Sequence, residues 1–194
     1  MSQVKDEYEL EFWKATHTSS QHMVAYNWIL NFWGLKETKS ILEIGTGPLS
    51  GILPLISSEF KVGVDPLYET FIREDLFFRH LDIHYIQGQV ETIAFNYLFK
   101  TIVTINALDH GESTFDSIDN LVSLLEVNGK LYIHVNLRRL DQLNLGHDHM
   151  LTLDDFNSVV SRNNLKIHSH NVFESDPLQA GSPYNTLIVV LEKL

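Results

Sequence analysis

The residues best suited to chemistry lie in the stretch Ile41-Leu42-Glu43-Ile44-Gly45-Thr46-Gly47-Pro48-Leu49-Ser50-Gly51. A short apolar run ends in a turn with two glycines, and an apolar, helix-like segment, Ile52 to Ile56, follows at once. Strand, Gly-rich turn and helix form the layout that binds a nucleotide-like ligand at the carboxyl end of a sheet. Asp65, twenty residues beyond Gly45, closes a second apolar run, Val62-Gly63-Val64. Farther on, Asp109-His110 and His147-Asp148-His149 supply groups able to move a proton.

The turn itself narrows the ligand. Its glycines run Gly45-x-Gly47-x-x-x-Gly51 rather than G-x-G-x-x-G. Pro48 lacks an N–H in the turn where a pyrophosphate would need donors. Glu43 stands two residues before the first glycine, on the same strand face, and places a carboxylate near the turn. A carboxylate repels pyrophosphate and favours a cation. S-adenosylmethionine carries a sulfonium and an ammonium and no phosphate. The two glycines let the backbone approach its methionine part, and Asp65 is placed to accept both ribose hydroxyls.

These residues need a parallel sheet behind them. Strand candidates are 40–44, 60–64, 83–86, 101–106 and 130–136, and helical segments at 50–57, 67–79 and 114–125 fill the gaps. The strands are nearly continuous apolar runs, as expected when helices cover both faces. Alternation of this kind means right-handed crossovers. The end of the chain differs: a helix over 152–163, a strand over 165–173, a loop over 174–184 and a strand over 186–193. No helix separates the last two strands, so they pair as an antiparallel hairpin.

Residues 6 to 33 read as one or two helices, broken near Thr16-His17-Thr18-Ser19-Ser20 and ended by Gly34. Tyr8, Phe12, Trp13, Met23, Tyr26, Trp28, Ile29, Phe32 and Trp33 recur at spacings of three and four. One reading packs this face on the sheet. The other makes it a lid whose Tyr8, Trp13 or Tyr26 touches a ligand. Exposed aromatics here could also serve a homodimer contact.

With 194 residues, 44% of them hydrophobic, the chain has the size and composition of a single folded domain. No apolar run approaches the roughly 18 residues of a membrane span, and the polar, acidic start is neither a signal nor a transit peptide. Absence of cysteine removes disulfides and thiolate chemistry and fits the cytoplasm. A formal net charge of −11, with Arg138-Arg139 the only basic cluster, argues against a nucleic-acid partner.

Glu43-Ile44-Gly45-Thr46-Gly47, Gly63-Val64-Asp65 and later segments resemble the class I S-adenosylmethionine-dependent methyltransferases over about residues 38 to 194. The resemblance implies an α/β fold: a Rossmann-like, seven-stranded, mostly parallel sheet with an antiparallel last strand, flanked by helices. It divides the chain into an N-terminal helical lid over 1–37 and a single methyltransferase domain over 38–194. Val127-Asn128-Gly129 looks like the family's turn into strand five, and Asn106-Ala107-Leu108-Asp109-His110 like the segment after strand four, where cofactor and acceptor meet. The resemblance further implies that Glu43, Gly45 and Gly47, with Thr46 between them, contact the methionine part. Asp65 would hold the ribose, with Pro66 and Leu67 beside the adenine. Gln89 stands where the family often has an Asp that accepts from the adenine amino group, the Val90 N–H reaches the adenine ring, and Asn106 lies under the methionine moiety.

Methyl transfer is an in-line displacement in which the enzyme mainly positions the partners; a base is needed only if the nucleophile must lose a proton. His110 is the first candidate, with Asp109 beside it, and a cap or turn role is the alternative. His147 and His149 flank the acceptor side or are turn residues; as a His-x-His pair they lack a third metal ligand at a telling spacing, so no metal is expected. Arg138 and Arg139 either bind an acceptor carboxylate or phosphate or belong to a solvated loop. The Asp/Asn-Pro-Pro-aromatic motif that resembles nucleic-acid amino-methyltransferases is absent. The expectation is a methyltransferase for a small-molecule O- or N-nucleophile. Its rivals are a non-catalytic cofactor-binding or scaffold protein of the same fold and an NAD-dependent oxidoreductase.

Overall fold

The computed structural model describes residues 3–16, 20–111, 113–138, 152–179, 182 and 184–194. Two helices lead the chain, α1 (Gln3–Thr16) and α2 (Ser20–Trp33). At the end of α2 the Leu35 N–H donates to the Leu30 carbonyl and the Gly34 N–H to that of Asn31. This is the paired bonding that a glycine just past a helix makes possible.

The strands are β1 (Glu37–Ile44), β2 (Ser57–Asp65), β3 (His84–Gln87), β4 (Phe99–Ile105), β5 (Leu125–Leu137), β6 (Leu165–Phe173) and β7 (Asn185–Lys193). They form one seven-stranded sheet in the order β3-β2-β1-β4-β5-β7-β6. From β3 to β5 all pairs are parallel, with Leu42 opposite both Val62 and Ile102. β7 runs antiparallel between β5 and β6, as the helix-free ending of the sequence requires. Helices α3 (Tyr68–Arg73), α4 (Thr114–Ser123) and α5 (Leu153–Arg162) complete the fold. Ser113 caps α4, its hydroxyl accepting from the Asp116 N–H.

Period-two alternation divides the buried strand residues between two cores. Leu42, Val62, Ile102, Ile133 and Val189 face α4 and α5, meeting Ile118, Leu121, Phe156 and Val159. Ile41, Val103, Tyr132, Ile188 and Val190 face the other way and meet Tyr26, Ile29 and Leu30 of α2, together with Ile52, Leu53 and Ile56.

Two helices expected from the sequence are corrected. Residues 50–57 form no α-helix, only a single 3-10 turn over Leu53–Leu55. Ser50 and Gly51 take φ of +65° and +56°, left-handed values that a right-handed helix cannot contain. The helix expected over 67–79 stops at Arg73. Asp75 adopts φ +55°, and the Leu76 N–H closes back on the Phe71 carbonyl. Asp is among the few non-glycine residues that reach this conformation at modest cost, so the stop carried no glycine to announce it.

Candidate functional site

The crossovers change direction between β1 and β4: the chain winds outward from β1 through β2 to β3, and outward the other way from β4 to β5. Such a switch leaves a crevice outside the carboxyl ends of the two strands. A cavity of about 680 Å³ fills it here, floored by the strand ends and roofed by α1 and α2. The loops after β1 and β4 touch at the crevice floor, since a Cβ on Gly45 would lie 2.3 Å from that of Ala107. Over the turn stands Trp13 of the roof, so close that a Cβ on Gly47 would meet its ring at 2.6 Å.

Asp65 ends β2 on the cavity wall, and its two carboxylate oxygens accept from the backbone N–H groups of Gly47 and Leu67 at 2.8 and 2.9 Å. Burial nevertheless pushes its carboxyl up to about 6, against the lowering effect of those two donors. Beyond it, Pro66, Leu67, Gln89 and Val90 line the β2–β3 side. Glu91 also reaches the wall, accepting from the Ser117 hydroxyl at 3.1 Å.

Past β4, Asn106 and His110 face the cavity. His110 Nδ1 lies 3.1 Å from Glu9 Oε1 of α1. Glu9 is held above the usual carboxylate range chiefly by burial; the charges of Asp65 and Asp109 add to this and His110 opposes it. At the far end, Arg138 is buried rather than solvated: its Nε donates to Asp109 Oδ2 at 3.0 Å, and its guanidinium lies 3.8 Å from the Tyr184 ring centre. Next to it His134 and Asp176, both fully enclosed, meet at 3.0 Å between β5 and the β6–β7 loop. Among the described residues, no group of three His, Asp or Glu is arranged to hold a metal ion.

No protein-family profile and no curated protein sequence matches the chain. Solved structures do. One is a chain of the complex between the Haloferax volcanii Trm112 methyltransferase activator and a protein described as a methyltransferase. It matches at a TM-score of 0.74 and 12% identity, over 97% of this chain and 97% of that one. Another is the N-methyltransferase NodS from Bradyrhizobium japonicum WM9 in complex with S-adenosyl-L-homocysteine. Its TM-score is 0.63 at 15% identity, over 92% of this chain and 88% of that one. The fold is that of the class I S-adenosylmethionine-dependent methyltransferases.

Within this methyltransferase fold, the structure gathers most of the residues singled out in the sequence into one cavity. Gly45, Gly47, Asp65, Gln89, Val90 and Asn106 lie on its walls, as do Tyr8, Trp13, Tyr26, His110 and Arg138. Three residues are placed otherwise. Glu43 turns away from the cavity and accepts from the Ile52 N–H at 3.0 Å, beneath a Gly51 whose Cβ would meet the carboxylate at 2.2 Å. Burial pushes Glu43 up to about 8, although the N–H groups of Ile52 and Leu53 pull it down. Thr46 is enclosed behind the turn, and Asp109 is behind the wall with Arg138. His147, His149 and Arg139 lie outside the described residues.

Glu9, Glu91, His134, Asp176 and Tyr184 belong to the site and were missed in the sequence. Glu9 had a signal, standing four residues from both Lys5 and Trp13 on one helical stripe. His134 and Asp176 had none, because 42 positions separate them and only the sheet brings them together.

Proposed function

We propose that this chain transfers a methyl group from S-adenosylmethionine to an O- or N-nucleophile of a small molecule. The observation that carries the proposal is the cavity at the β1–β4 switch point. Backbone approaches closely at Gly45 and Gly47, carboxylates line the walls, and Trp13 closes the top. The residues present suit the cofactor: the cavity is of nucleoside size, its acids match a cation, and the Asn106 side-chain oxygen is buried there without a partner. When bound, S-adenosylmethionine supplies a methyl group already activated by its positive sulfur.

The chain's own residues then have distinct tasks. Asp65 accepts from the ribose hydroxyls, Gln89 and the Val90 N–H hold the adenine, and Pro66 and Leu67 pack beside it. Gly45, Gly47 and Asn106 bound the methionine part. Tyr8 and Tyr26 of the roof help to exclude water. His110 takes the proton where the nucleophile carries one, with the Glu9 carboxylate holding its ring. Arg138, stacked on Tyr184, forms the wall against which the acceptor rests.

Calorimetry with S-adenosylhomocysteine and with NAD tests the reading. Micromolar binding of the first and none of the second is expected; tight NAD binding alone would overturn it in favour of an oxidoreductase. A methyl-transfer assay over a metabolite panel then separates an enzyme from a cofactor-binding scaffold.

A further inference from the structure

The carboxylate that the sequence places near the cofactor's positive charge is Glu43, and the structure ties it to the backbone beneath the turn instead of setting it on the cavity wall. It is 1% exposed, it accepts from backbone amides, and the turn at Gly51 closes over it. The wall itself carries Glu9, Asp65, Glu91 and Asp176, of which Asp176 is paired with His134. Asp65 accepts from Gly47 and Leu67 through its two oxygens. Glu91 is tied to Ser117 and to the Ser113 N–H.

Helix α1 supplies what is needed. Lys5, Glu9 and Trp13 are spaced by four and share one stripe of the helix. Lys5 Nζ reaches the Gly111 carbonyl at 3.5 Å, Glu9 reaches His110, and Trp13 rests on Gly47. The helix therefore spans the crevice from the loop after β4 to the turn after β1, with Glu9 at mid-span on the cavity wall. Glu9 touches His110, proposed with Asp109 for the acceptor side, and feels the charge of Asp65, proposed above for the ribose. In the cofactor, the sulfur is the atom that joins those two regions. Repulsion from Asp65 and Asp109 already acts on Glu9, and a cation entering there would relieve it.

We infer that Glu9, from the N-terminal helix, is the carboxylate that faces the sulfonium of S-adenosylmethionine and separates it from the uncharged thioether of the product. The inference rests on the cofactor reading given above. It makes the roof a sensor of the methyl group's presence: once the methyl leaves, the positive charge that Glu9 faced is gone.

Equilibrium binding of S-adenosylmethionine and S-adenosylhomocysteine to the wild-type chain and to Glu9→Gln and Glu9→Asp tests it. Glu9→Gln should weaken S-adenosylmethionine about tenfold or more, the scale of removing one member of a close, buried pair of opposite charges. The product should change less than threefold, and Glu9→Asp should recover part of the loss. Thermal melts of the variants confirm that the fold is intact. Equal losses for both ligands, or no loss for either, would overturn the assignment to the sulfonium. Absence of wild-type binding to both ligands would instead bring down the cofactor reading itself.

Discussion

Two buried carboxylates close to the Gly45 turn have opposite consequences for pH. Asp65 is raised to about 6 by burial. In the proposed function ribose hydroxyls donate to its ionised form, so ligand binding would lower that value. Affinity is therefore complete above pH 6 and declines below it, by up to about tenfold per pH unit. S-adenosylhomocysteine titrated at about pH 5 and pH 7.5 should show this loss, and Asp65→Asn should flatten it. Asp65→Ala should weaken binding by at least ~1 kcal/mol at neutral pH. Glu43 acts on stability instead. Its folded value is raised from 4.5 to about 8, so between these the folded chain retains a proton that the unfolded chain releases. Stability attributable to Glu43 is present below pH 4.5 and falls as pH rises through 8, with a slope of at most about 1.4 kcal/mol per unit. Melting temperatures of wild type and Glu43→Gln should diverge across that window, with the variant the less pH-dependent. The glycine pair and Asp65 were legible in the sequence because strand, turn and strand end are local features. The direction of Glu43 was not, because its partner is the Ile52 N–H, in a turn whose left-handed backbone at Ser50 the residue type does not announce.

Elements were read more securely than their boundaries. All seven strands were expected from the sequence, most of them as apolar runs, and the helix-free ending predicted the antiparallel β7. The lost helix at 50–57 had the right residues, since Ile52, Leu53 and Ile56 are buried as a helix face would be. Burial alone does not distinguish a helix from an irregular turn that buries the same side chains. The two N-terminal helices divide the space: α2 packs Tyr26, Ile29 and Leu30 on the sheet, and α1 stands over the cavity. Trp13 contacts Gly47, Phe71 and His22 while standing on the cavity wall. Its indole should therefore report ligand entry. Trp13→Phe should abolish most of the change in tryptophan fluorescence that S-adenosylhomocysteine produces, while Trp33→Phe, with a ring against Tyr132, should leave it. A signal that survives Trp13→Phe would place the ligand elsewhere.

For the whole molecule, the −11 charge acts on what approaches. S-adenosylmethionine carries one net positive charge at neutral pH and its product none. Raising salt from about 0.05 to about 0.5 M should weaken the first measurably and the second little, because screening acts on the attraction between net charges. Equal salt dependence would count against a cationic ligand. No described helix is long and apolar enough to cross a membrane.

The connection from β1 to β2 carries no α-helix, yet the sheet face beside it is covered. The cover comes from α2, which precedes β1 in the chain and packs Tyr26, Ile29 and Leu30 on Ile41, Val103 and Ile188. A layer of this fold can thus be furnished by a segment from another part of the chain. Order along the chain and place in that layer are therefore separate: residues that come before β1 cover the face beside the connection that leaves it.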